Sequence, residues 1–125
     1  MSGAYERNTM EMTMSDNKVL LIQGEGLGSG DDKLGGMLMA NFLRVLGDCE
    51  GKPKAIILWN TGVRLAAKSS NVLGYLQRLE QQGVEIRACT TCLEFFDKVE
   101  ELGVGKPTTM PVSVDALLRE NAICL

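Results

Sequence analysis

The chain has 125 residues, 45% of them hydrophobic, with four cysteines, no histidine and a net charge of -3. One domain of this length can bury a core without disulfides or metals. A pI near 5.0 argues against a nucleic-acid surface, which needs clustered lysine and arginine. No apolar run approaches the roughly 20 residues that span a bilayer and no signal peptide is visible, so a soluble, cytoplasmic protein with reduced cysteines is expected.

Residues 1–17, MSGAYERNTMEMTMSDN, are polar with scattered methionines and read as a flexible extension, the alternative being an arm that docks on a neighbouring subunit. Lys18 to Gln23, KVLLIQ, is an apolar run typical of a strand buried on both faces. It breaks into the glycine-rich stretch Gly24 to Gly30, followed by Asp31, Asp32 and an amphipathic helix on which Leu34, Met37, Leu38, Phe42, Val45 and Leu46 share a face. This opens a βαβ unit. The glycine spacing fails both phosphate-binding fingerprints: Ser29 stands where a third glycine belongs and no GKS or GKT follows. The two aspartates would repel a phosphate and cap the helix themselves. Lys54 to Trp59, KAIILW, is a second buried strand, ending in the polar turn Asn60-Thr61-Gly62. Ser69 and Ser70 offer caps for a helix carrying Val72, Leu73, Leu76 and Leu79, and Gly83 supplies its stop.

Val84 to Phe96, VEIRACTTCLEFF, holds the residues with the clearest chemistry. Val84, Ile86 and Ala88 alternate with Glu85 and Arg87 as a short strand. Thr91 and Glu94 fit a capping box, which predicts a helix starting at Cys92. A cysteine there lies beside free backbone N–H groups that favour the thiolate, while Glu94 and Asp97 oppose that. Either Cys89 or Cys92 can be the nucleophile on this reading. Lys106 to Met110 is irregular or a short strand. Pro111 leads into a helix with Val114, Leu117 and Leu118 inward, and Ala122 to Leu125 is a final strand. Cys49 and Cys124 read as packing or surface residues. Strand and helix alternate throughout, which predicts a three-layer α/β/α sandwich on a mainly parallel sheet of about five strands. Ligands gather at the carboxyl ends of such strands, so the loops Gly24 to Asp32, Asn60 to Arg64 and Cys89 to Cys92 would line one shallow site if their strands are neighbours.

The blocks GSGDDKLGGMLMANFL, AIILWNTGVRLA and GVEIRACTTCLEFF, in that order, resemble the DsrE-like family and in particular its YedF-like branch, linked to sulfur transfer and selenium metabolism. The likeness covers residues 18 to 125. It implies a persulfide-handling protein without a cofactor, commonly a trimer or hexamer, that passes sulfane sulfur between cysteines. By position, Cys89 and Cys92 match the family's CxxC and are the implied catalytic pair, with Thr90 and Thr91 between them. Asn60 and Gly62 match the second strand's turn, and Gly30, Asp31 and Asp32 the first; with the two threonines these are the implied substrate-binding residues. The branch usually has glycine where this chain has Thr90. Many relatives also carry an amino-terminal sulfur-carrier domain with a CPxP motif, which these 125 residues lack, so the donor or acceptor is expected to be a separate small protein.

A thiolate can attack a sulfane sulfur and hold it as a persulfide, and a second cysteine three residues away can release it. With no histidine, acid–base work near neutral pH falls to cysteines, carboxylates or water. The competing readings are a thiol–disulfide oxidoreductase, which lacks the CxPC proline and has only Pro111 to offer as a cis-proline, and an oligomeric binding or regulatory module. Zinc would need Cys49 and Cys124 to converge on the CxxC.

Overall fold

The computed structural model describes residues 18–125, so the expected extension over residues 1–17 lies outside the described residues. Strands β1 (Lys18–Ile22), β2 (Ala55–Leu58), β3 (Glu85–Cys89), β4 (Lys106–Thr108) and β5 (Asn121–Cys124) form one parallel sheet in the order β4-β3-β2-β1-β5. The two apolar runs become the strands with both faces covered. Val19, Leu21, Ala55 and Ile57 face one side; Leu20, Ile22, Ile56 and Leu58 face the other. Their register sets Val19 beside Ala55 and Ile22 beside Leu58, so residues of one face meet their own kind across the pair. Helices α1 (Asp32–Asp48), α2 (Leu73–Gln81) and α3 (Thr90–Phe95), with a 3-10 segment at Asn60–Ala66, pack over the larger core, and α4 (Met110–Arg119) packs over the smaller one through Ala116. This is the expected three-layer α/β/α arrangement.

Two local expectations hold at atomic detail. The Asp31 carboxylate accepts from the Leu34 N–H at 2.8 Å and caps α1. Gly83, past the end of α2, has φ +98°, a backbone region open to glycine. The expected serine cap on α2 is not formed: the N-cap is Val72, with no side-chain cap, and the Ser70 hydroxyl accepts from the Val72 N–H at 3.1 Å in the turn before it. No helix among the described residues is long and apolar enough to cross a membrane.

Two helix faces are corrected. Leu34, Met37, Leu38 and Val45 of α1 are exposed, whereas Gly35, Met39, Leu43 and Gly47 are buried, with Phe42 and Leu46 at the margin. The buried stripe repeats every four residues and begins and ends on glycine. Those glycines let the helix approach its neighbours closely: a Cβ on Gly35 would lie 3.3 Å from the Leu27 carbonyl oxygen, and one on Gly47 would lie 2.9 Å from the Arg78 guanidinium. Hydropathy counting gives no weight to such positions. In α4, likewise, Ser113 and Ala116 face the sheet, while Val114 and Leu118 are exposed and Leu117 is half-buried.

Gly62, in the 3-10 segment, sits against the end of β1, where an added Cβ would lie 2.6 Å from the Ile22 carbonyl oxygen. Gly62→Ala is therefore expected to destabilise the fold by about 1–3 kcal/mol, as overpacking typically does. Gly36→Ala, on the open side of α1 with no neighbour within 4 Å of the new atom, is expected to be neutral or stabilising by up to about 1 kcal/mol from helix propensity. Urea unfolding of the two variants checks both signs.

Candidate functional site

The carboxyl ends of β1, β2 and β3 are adjacent, yet the three loops line two hollows, not one shallow site. The 3-10 segment Asn60–Ala66 runs between them, giving Thr61 and Leu65 to the first and Asn60 to the second. The first hollow, of about 810 Å³, is bordered by the glycine loop and the start of α1, including Gly24, Glu25, Asp31 and Asp32. The second, of about 580 Å³, takes Trp59 and Asn60 from the end of β2, Thr91, Cys92, Phe95 and Phe96 from α3, and Gln23 and Met110 from its flanks.

The structure thus brings Cys92, Thr91 and Asn60 together and places Asp31 and Asp32 in the other hollow. Gly30, at φ +129°, is exposed and borders neither hollow. Gly62 is buried within the 3-10 segment. Thr90 turns away from the hollow, its hydroxyl donating to the Thr108 carbonyl at 2.9 Å. That contact follows from register, since Cys89 lies opposite Thr108 on β4. Cys89 is 3% exposed and part of the core.

The helix carrying the pair begins two residues earlier than the capping-box pattern predicts. Thr90 is its first residue and Cys89 its N-cap, with no side-chain cap. β3 runs straight into the helix, and Thr90 spends its hydroxyl on β4, so the Thr91–Glu94 box has no helix start to close. Cys92 therefore occupies the third helical position.

Cys92 Sγ accepts from the Asn60 backbone N–H at 3.1 Å. Asn60 can present that N–H because it adopts a left-handed conformation, φ +55°, with its own Oδ1 accepting from the Thr61 N–H at 2.8 Å. Asparagine tolerates this region better than most residues. Burial pushes the Cys92 thiol above the ordinary cysteine range; the Asn60 N–H lowers it in part, and the neighbouring Cys89 thiol raises it further. Beside the hollow, the Arg64 guanidinium lies 4.4 Å over the Phe96 ring and 3.3 Å from Glu25, while Phe95 and Phe96 meet edge to face at 5.1 Å.

Sequence reasoning missed Trp59, Phe95, Phe96 and Met110 as wall residues. Their signals were available: the tryptophan stands at a strand's end just before a polar turn, and the two phenylalanines come three and four residues after Cys92. Among the described residues no group of three or more histidine, cysteine or acidic side chains is placed to hold a metal, and Cys49 and Cys124 are exposed, free thiols.

Iodoacetamide should accordingly modify Cys92 slowly near pH 7, with a rate that climbs about tenfold per pH unit and levels off above the roughly 8.5 of a free cysteine. Because Cys89 helps raise that pKa, Cys89→Ala should move the inflection to lower pH. A pH-rate profile in a Cys49→Ser/Cys124→Ser background, with the modified cysteine identified by peptide mass mapping, checks both; an inflection well below about 8.5 would contradict the burial argument.

No protein-family model matches the sequence and no curated protein matches it. Solved structures do share its fold. YchN from E. coli is 16% identical, with a TM-score of 0.68 over 88% of this chain and 99% of its own. A protein of unknown function, MTH1491 from Methanobacterium thermoautotrophicum, is 20% identical at TM-score 0.61, over 86% and 96% of the two chains. BT1422 from Bacteroides thetaiotaomicron, also of unknown function, is 22% identical at 0.59, over 90% and 97%. The described chain therefore has a DsrE/YchN-like fold.

Proposed function

We propose that this protein is a cytoplasmic sulfur-relay protein of the YedF-like branch, in which Cys92 accepts sulfane sulfur as a persulfide and Cys89 resolves it. The observation that carries this reading is the division of labour within the CxxC. Cys92 lies in the wall of an open hollow with a backbone N–H on its sulfur, and Cys89 stands behind it in the core.

In the forward step the Cys92 thiolate attacks the outer sulfur of a donor R–S–SH. The new Sγ–S bond forms as the donor's S–S bond breaks, and R–S⁻ leaves with the proton released by Cys92, giving Cys92–S–SH and R–SH. An acceptor thiolate then attacks the outer sulfur and returns Cys92 to the thiol. Alternatively the Cys89 thiolate attacks Sγ, expelling HS⁻ and forming a Cys89–Cys92 disulfide that an external dithiol must reduce. The donor or acceptor is a separate sulfur-carrier protein, and selenium in place of sulfur would follow the same steps.

The chain is also proposed to act as a homo-oligomer, a trimer or hexamer. The exposed Leu34, Met37, Leu38 and Val45 on α1 support this, being apolar surface that assembly would cover. Leu38→Glu is expected to lower the mass seen by sedimentation; an unchanged mass would place the interface elsewhere.

The relay itself is tested by intact mass after incubation with a cysteine desulfurase and cysteine. Wild type and Cys89→Ser should gain sulfur in steps of one atom, reversible by dithiothreitol, and Cys92→Ser should gain none. Turnover of a model disulfide with no retained sulfur would indicate an oxidoreductase, and neither behaviour would indicate a binding module.

A further inference from the structure

We propose, resting on the sulfur-relay reading of Cys92, that the site takes its sulfur from a hydropersulfide on an apolar carrier and rejects oxyanionic donors such as thiosulfate. The side chains around Cys92 are uncharged. Trp59, Phe95, Phe96 and Met110 supply apolar surface, and Gln23, Asn60 and Thr91 supply neutral polar groups. Thiosulfate would bring a doubly charged group into this wall and release sulfite there. A dianion taken out of water is held best by cations in its place.

Among the described residues no cation lines the hollow. The cation beside the hollow, Arg64, is stacked on Phe96 at 4.4 Å and faces Glu25 at 3.3 Å, and it is not among the lining residues. The Asn60 N–H is already directed at Cys92 Sγ. The charged residues that follow Cys92 in α3 and just beyond it, Glu94 and Asp97, are acidic and supply no cation.

An apolar carrier meets the opposite conditions. Phe95 is 82% and Met110 47% exposed at the edge of the hollow, so a hydrocarbon group seated there removes apolar surface from water on both partners, at about 25 cal/mol per Å². Methionine adapts its shape to what it covers. The transfer balances for either donor without oxidant or reductant: Cys92–SH and R–S–SH give Cys92–S–SH and R–SH, and thiosulfate would give the same persulfide and sulfite. The discrimination lies in the carrier, not in the sulfur.

The test compares, in the full chain carrying Cys49→Ser and Cys124→Ser so that the two exposed thiols do not contribute, the rate of single-sulfur gain on Cys92, by intact mass, from benzyl hydropersulfide released in solution and from thiosulfate. Each rate is divided by that of a small reference thiol under the same conditions, which removes the donors' intrinsic reactivity. The normalised rate from benzyl hydropersulfide should exceed that from thiosulfate by about tenfold or more, a burden of the size that an unpaired charge imposes. Met110→Lys, a change at a half-exposed position, should narrow the ratio by speeding thiosulfate, and Phe95→Ser should narrow it by slowing benzyl hydropersulfide several-fold. Equal normalised rates, or faster loading from thiosulfate, would overturn the preference and leave the relay standing. No loading from any donor, with the protein folded and Cys92 reduced, would overturn the relay and this inference together.

Discussion

The contact of Gly62 with the end of β1 is the constraint on which the site rests. The Trp59 N–H donates to the Ile22 carbonyl at 3.0 Å, and three residues later the chain returns to the same carbonyl so closely that only a hydrogen fits. Between those two points the backbone has little freedom. It turns through Asn60 with positive φ, and that turn aims the Asn60 N–H across the neighbouring strand end at Cys92. The glycine carries no chemistry, yet it sets the angle from which the sulfur is held. A strand pair, a pinched turn and a thiol form one mechanical unit.

The opposite side of the thiol is fixed by sheet register. β3 hands directly into α3 with Cys89 as the junction, and Thr90 ties that junction to the three-residue edge strand β4. The CxxC is thus held by neighbours on both sides, β2 through Asn60 and β4 through Thr108. Its electrostatics follow from this placement. A helix of six residues offers limited dipole, and burial outweighs the one N–H that reaches the sulfur, which favours the thiol.

Much of this architecture was legible in the sequence because its signals are those that apolar patterning records. KVLLI and AIIL are central strands by composition alone, and the Asp31 cap and Gly83 stop follow from side-chain and backbone chemistry at single positions. The inward faces of α1 and α4 were not legible in the same way. On α1 two glycines flank Met39 and Leu43, and on α4 the inward residues are serine and alanine, so close approach is marked by residues that score as weakly apolar. The helix start at Thr90 was hidden for a different reason: a local capping pattern existed, but a contact with Thr108, eighteen residues away, took the neighbouring hydroxyl. The site was legible as a pair of cysteines and an asparagine turn. Its walls were not, because Phe95, Phe96 and Trp59 look like core until topology places them around an opening.

Trp59 is the chain's single tryptophan, and it stands in the wall of the hollow that contains Cys92. Indole emission from this protein therefore comes from one place, the place where chemistry is proposed. Intensity and wavelength will register what touches that wall, such as added sulfur, a seated carrier or the entry of water, without a label and without the background that a second tryptophan would contribute. The fold has positioned its own optical gauge within reach of the thiol.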